Sequence, residues 1–155
     1  NKRAFHDELE QKIRSAERFK KKLSLLVTDI DHFKNVNDTY GHATGDVVIK
    51  ELGAILLRMK RDTDRVARFG GEEFCILCEE TDTEGALQLA ERVREELGAT
   101  VFQTELGKLQ VQCSIGVATY PKDAKGSAGL FEITDKALYV AKRTGRNKVC
   151  SAKDV

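Results

Sequence analysis

A chain of 155 residues, 41% hydrophobic and 33% charged, suits one globular domain with its own core and lies far from the composition of a disordered segment. Its 26 basic and 25 acidic residues leave a net charge of +1, which excludes the basic excess of a nucleic-acid or anionic-membrane surface. No run approaches the roughly 18 apolar residues of a membrane span, and the opening NKRAFHDELEQ has no apolar signal-peptide core.

Apolar residues at Phe5, Leu9, Ile13, Ala16 and Phe19 follow the three-and-four spacing of an amphipathic helix over 5–20, with Lys20-Lys21-Lys22 as its solvated end. LSLLVTDI, 23–30, is short, apolar and rich in strand formers, and HFKNVNDTY continues from it as a helix. A second helix is expected from about Asp46 to Met59, with Val47, Val48, Leu52, Ile55 and Leu56 on one side. DRVARF and EEFCILC flank Gly70-Gly71 as a hairpin with a two-residue turn, where glycine supplies positive φ without steric cost. A helix over Thr83 to about Leu97 follows, then strands near 100–104 and 109–119, a helix from Ser127 to Arg143 and a last strand in NKVCS. Pro121 opens the loop PKDAKGS before the last helix. Helices alternate with strands while hairpins are also present, so a mixed sheet with helices packed on it is expected.

The four cysteines do not read as a zinc site. Cys75 and Cys78 form a C-x-x-C, but Cys113 and Cys150 stand alone and His6, His32 and His42 are scattered. Three apart in a strand, Cys75 and Cys78 point to opposite faces, so buried free thiols in a reducing cytoplasm are expected.

The acids raise a sharper question. Glu72-Glu73 places two repelling carboxylates beside the glycine pair, where they either lie exposed at the hairpin tip or face a cation. TDID puts Asp29 and Asp31 two apart at the end of the first strand, on one face. If that strand neighbours the hairpin, three or four negative charges gather with no nearby cation in sequence, and mutual repulsion raises their pKa values unless Mg²⁺ fills the cluster. A phosphate-bearing ligand would give other residues work: the free N–H groups at the start of HFKN with Lys34 in that turn, and Lys142 and Arg146 around a helix end capped by Gly145. Charge complementing the helix dipole is the plainer account of the last two.

Taken together, NKRAF, DIDHFKNVNDTYGHATGD, RVARFGGEEF, SIGVA and DKALYVAKRTGRN resemble the blocks of the GGDEF domain, the bacterial diguanylate cyclase family, in its GGEEF form and in the family's order and spacing. The resemblance covers essentially the whole chain. It implies a single catalytic domain over 1–155 with an α/β (α+β) fold of the nucleotide-cyclase and polymerase-palm type: a central, mostly antiparallel sheet of about five strands flanked by helices, with a small hairpin. It further implies that two GTP molecules, one on each protomer of a homodimer, condense to cyclic di-GMP and two pyrophosphates, in the cytoplasm, with no nucleic-acid or membrane partner for the domain itself. Asp29, the Ile30 carbonyl and Glu72 match the Mg²⁺-binding positions, with Glu73 helping at a second ion and Mn²⁺ as a possible substitute. Glu72 also matches the residue that deprotonates the attacking 3′-hydroxyl.

By the same resemblance Asn37 and Asp46 match the positions that read guanine, with His42 near them. Lys34, Lys142 and Arg146 match phosphate contacts, Lys34 among the catalytic groups, and Phe33 belongs to the turn that wraps the phosphates. Guanine offers N1–H and N2–H₂ to a carboxylate where adenine has no matching pair, so an aspartate favours GTP. Helix capping is the local alternative for Asn37 and Asp46. RDTD resembles the family's RxxD inhibitory motif, Arg61 and Asp64, with the family's five-residue gap to Gly70; it implies product inhibition, against the alternative of a weak surface pair in an exposed helix. Arg58 and Arg65 are not assigned. Ile133-Thr134 departs from the family's usual small or acidic pair, with an effect expected on packing only. The family's D-x-L-T segment is not in the sequence, which implies a catalytic domain cut from a longer regulatory protein. A non-catalytic module binding GTP or cyclic di-GMP is the alternative function.

Overall fold

The computed structural model describes residues 2–155; Asn1, the first letter of the NKRAF block, lies outside them. β1 (Leu23–Ile30) is buried at every position, as a strand covered on both faces must be. It lies at the centre of a five-stranded sheet, flanked by β3 (Glu73–Glu79) and β6 (Cys113–Tyr120), with β2 (Arg65–Arg68) and β7 (Val149–Ser151) at the edges. All pairings are antiparallel except β6–β7. Alternation then sorts the core. Leu23, Leu25 and Val27 face α1 (Lys2–Phe19) and α5 (Ser127–Arg143), meeting Phe5, Leu9, Leu130 and Leu138. Leu26 and Ile30 face α3 (His42–Met59) and α4 (Thr83–Ala99), meeting Leu52, Ile55, Ala90 and Val93. Cys75 belongs to the first layer and Cys78 to the second. All four cysteines are free and buried.

Three local expectations need correction. The second helix begins at His42 rather than Asp46, leaving only Gly41, at φ 91°, between it and α2 (Phe33–Tyr40). Its first turn is polar, so apolar periodicity could not find it. The strand expected over 109–119 is two elements: β5 (Gly107–Leu109) pairs with β4 (Phe102–Thr104) as a separate hairpin, and β6 starts afresh at Cys113. Apolar alternation runs through both without revealing the change of partner. The glycine turn holds three residues, Gly70, Gly71 and Glu72, closed by the Phe69 N–H donating to the Glu73 carbonyl at 2.7 Å. Gly70 and Gly71 do take positive φ, 84° and 52°.

α5 lies almost on the backbone of β6. A Cβ at Gly116 would stand 2.3 Å from the Thr134 carbonyl oxygen and 2.4 Å from the Leu138 nitrogen. That close approach fixes the middle of α5 against the sheet, with Lys142 one turn further along the helix. No helix among the described residues is long and apolar enough to cross a membrane.

Candidate active site

Asp29, near the end of β1, sits directly opposite Glu73 on β3 and Ser114 on β6. Opposed residues of an antiparallel pair project from the same face, so the two carboxylates are neighbours, with half-buried Glu72 in the turn beside them. The acids thus face the α1/α5 layer rather than lying exposed at a hairpin tip. They are not without a cation: α5 brings Lys142, whose ammonium bonds Asp29 Oδ2. Burial raises the Asp29 carboxyl above its ordinary value; Lys142 opposes the shift and the charge of Glu72 adds to it. Burial also raises Glu73, with Asp135 and Asp29 adding to it.

Asp31 does not join the cluster. It is buried, and its oxygens accept from Ser114 Oγ at 2.6 Å and the Asn147 N–H at 2.8 Å. Among the described residues no three His, Cys, Asp or Glu side chains converge to enclose a metal ion. The donors nevertheless fit a hard divalent cation: Asp29 and Glu73 offer carboxylate oxygens crowded enough to raise both carboxyls, and Lys142 gives Asp29 the positive charge an ion would give.

On the other layer, α2 and α3 press together at one glycine. A Cβ at Gly45 would lie 1.9 Å from Asn37 Oδ1 and 3.1 Å from Phe33 Cζ. Neither Asn37 nor Asp46 is an N-cap: Asn37 stands inside α2 and Asp46 one turn inside α3, exposed. Asn37 Oδ1 is buried with no hydrogen-bond partner, a group held by shape and left for something else to satisfy. Lys34 and His42 are exposed at the starts of the two helices. His32, before α2, has φ 55° and makes no side-chain cap, so the first-turn N–H groups gain nothing from its imidazole.

Arg61 and Asp64 are not a helix-surface pair. They form a turn after α3 in which Asp64, 2% exposed, accepts from the Arg61 N–H at 2.8 Å. The Arg61 guanidinium donates to the Glu79 carbonyl at 2.7 Å and to Thr81 Oγ1, and lies 3.6 Å from Asp64 Oδ1. The two residues line a cavity of about 400 Å³ together with Cys78, Thr81 and Arg92. Arg92 was not singled out in the sequence; it lies on α4 outside any motif, and only the packing of α4 against this edge brings it in. Arg58 bridges Glu51 and Glu96, and Arg65 pairs with Glu8 at 2.9 Å. Both are structural ties between elements.

The pattern of the family described as diguanylate cyclase, GGDEF domain, matches residues 1–148. The chain belongs to the GGDEF family.

This GGDEF domain is 42% identical to diguanylate cyclase A of Treponema denticola over 142 residues, 92% of this chain and 38% of that protein. It is 41% identical over 149 residues to the diguanylate cyclase DgcP of Pseudomonas aeruginosa, 96% of this chain and 22% of that one. The chain therefore spans well under half the length of these relatives. The GGDEF domain of DgcB from Caulobacter crescentus, solved in complex with c-di-GMP, is similar with a TM-score of 0.92 at 33% identity, covering 97% of this chain and 90% of that one. The active GGEEF domain of a diguanylate cyclase from Vibrio cholerae gives 0.90 at 33% identity, covering 97% and 95%. The expected architecture, a five-stranded and mostly antiparallel sheet flanked by helices with a small separate hairpin, is the one observed.

Proposed function

We propose that this GGDEF domain is one half-site of a diguanylate cyclase: it binds one GTP with Mg²⁺, meets a second copy carrying another, and the pair condenses both to cyclic di-GMP and two pyrophosphates. The observation that carries the reading is the pairing of Asp29 with Glu73 across β1 and β3, with Glu72 in the turn beside them. Asp29, Glu72 and the Ile30 carbonyl hold Mg²⁺, and Glu73 assists at a second ion; Mn²⁺ is a substitute with the same taste for oxygen. Bound there, the metal supplies positive charge to the attacking and leaving oxygens of an in-line displacement. Glu72 accepts the proton of the attacking 3′-hydroxyl. Lys34, Lys142 and Arg146 hold the phosphates, and the turn at Phe33 wraps them. Asn37, Asp46 and His42 take the guanine, the exposed Asp46 carboxylate accepting from N1–H and N2–H₂.

Arg61, Asp64 and Arg92 form the product site. Two arginines lining one cavity suit the phosphates and guanine edges of cyclic di-GMP. Product held there keeps the half-sites apart.

The test is to incubate the purified domain with GTP and Mg²⁺ over a range of protein concentrations and identify products by mass spectrometry. Cyclic di-GMP formed at a rate rising faster than linearly with protein is expected. GTP bound but never condensed, at any concentration and also in the full-length protein, would make this a binding module instead. Glu72→Ala should lower turnover by at least about 100-fold while cyclic di-GMP still binds; turnover within a few fold of wild type would remove Glu72 from the catalytic role.

A further inference from the structure

Arg146 lies in the loop just beyond the end of α5. Gly145, Arg146 and Asn147 all have positive φ, at 120°, 62° and 46°. Glycine takes such a conformation freely and asparagine more readily than most, but an arginine holds it only where its surroundings impose it. The Arg146 N–H donates to the Ala141 carbonyl at 2.9 Å, closing the end of α5. Among the described residues its guanidinium has no hydrogen-bond or ion-pair partner. It is a cation with a fixed backbone and nothing yet to bind.

The next residue, Asn147, is tied down by Asp31. One carboxylate oxygen accepts the Asn147 N–H at 2.8 Å and the other accepts Ser114 Oγ at 2.6 Å, while the Asp31 N–H donates to the Gln112 carbonyl at 2.8 Å. Asn147 is held a second time, its side-chain oxygen accepting from Arg94 Nη1 at 3.0 Å, and Arg94 is held in turn by Glu91 at 2.9 Å. The Lys148 carbonyl accepts from the Ile115 N–H at 3.0 Å. The segment following Arg146 is therefore pinned to β6, to α4 and to the end of β1.

We propose that Asp31 is a positioning residue for Arg146, its buried carboxylate imposing the left-handed backbone that aims the guanidinium at the triphosphate. The inference rests on the reading that Arg146 contacts a phosphate of GTP. Asp31 itself touches no substrate. The carboxylate is suited to the task because its two oxygens accept two separate bonds at once; an asparagine could keep both, its oxygen accepting the Asn147 N–H and its amide donating to the Ser114 hydroxyl, whereas an alanine keeps neither.

The test measures, by calorimetry with Mg²⁺ present, the affinity for a GTP analogue with a methylene group between its α- and β-phosphorus, in wild type and in Asp31→Ala, Ser114→Ala, Arg146→Ala and Asp31→Ala/Arg146→Ala. Thermal midpoints are recorded alongside. Arg146→Ala and Asp31→Ala should each weaken binding about tenfold, the pair no more than Arg146→Ala alone, and Ser114→Ala less than threefold. That coupling is what a merely structural role would not produce. Losses that multiply in the double variant, or full affinity in Asp31→Ala beside a weakened Arg146→Ala, would overturn the positioning role alone. Full affinity in Arg146→Ala would overturn the phosphate contact and the inference with it. Should Asp31→Ala not fold, hydrogen exchange of the wild-type Asn147 amide decides: protection like that of the β1–β6 ladder supports the tie, and exchange at the rate of an open loop rejects it.

Discussion

At the scale of single residues, Asp29 and Glu73 hold protons more tightly than ordinary carboxyls because both are buried beside other acids. A carboxyl raised in the folded state binds protons there that the unfolded chain has already released. Its contribution is therefore complete below the ordinary values of 3.8 for Asp29 and 4.5 for Glu73 and is lost as pH rises through the raised ones. A divalent cation competes for the same oxygens, so stabilisation by Mg²⁺ should be larger at pH 7 than at pH 4. Equal shifts of the thermal midpoint at the two pH values would contradict the metal assignment. Lys142 now carries that charge at Asp29. Lys142→Met should cost roughly 1–3 kcal/mol of stability at pH 7, by leaving a buried carboxylate unpaired, and much less below pH 3.8, where Asp29 is protonated; urea unfolding at both pH values measures it. The motifs named Asp29 and Lys142 separately. Their bond spans 113 positions of sequence, and neither it nor the use of Asp31 on Asn147 leaves a local trace, because both depend on how α5 is laid across the sheet.

At the scale of elements, two glycines set how closely neighbours approach, and they should respond differently to alanine. Gly116 faces the main chain of α5, which cannot move aside. Gly116→Ala should destabilise the fold by about 1–3 kcal/mol or more, read from chemical denaturation. Gly45 faces the end of the Asn37 side chain, which can. Alanine is a better helix former than glycine by up to about 1 kcal/mol, so Gly45→Ala should fold nearly as well as wild type yet bind the methylene analogue of GTP at least about tenfold more weakly, with Asn37 displaced from the base. A loss of fold together with the loss of binding would place Gly45 in the core rather than at the recognition site. The long helices and β1 were legible from their periodicity. The polar first turn of α3, the break between β5 and β6 and the third residue of the signature turn were not, because each is decided by a partner elsewhere in the chain: α2, β4 and the Phe69–Glu73 closure.

Across the whole molecule, the two proposed sites stand at the two ends of β3. Glu73 opens that strand beside Asp29, and Glu79 closes it where Arg61 takes its carbonyl. Seven residues of strand are roughly 20 Å, too far for product beside Arg61 to overlap a nucleotide beside the acids. Inhibition should therefore not be relieved by substrate: the cyclic di-GMP concentration that halves the rate should stay the same when GTP is raised tenfold, and Arg61→Ala should abolish the inhibition. A half-inhibitory concentration rising in proportion to GTP would instead place product in the catalytic site. The buried cysteines carry a further consequence. Burial pushes the Cys78 and Cys113 thiols up to about 12 and raises Cys75 and Cys150 as well, so none is reactive while its surroundings stay closed. Cys75 belongs to the α1/α5 layer and Cys78 and Cys113 to the α3/α4 layer. Timed alkylation followed by peptide mapping would thus clock the opening of each half of the interior separately, with native side chains as the reporters, and show whether the two halves of the domain come apart in one event or in sequence.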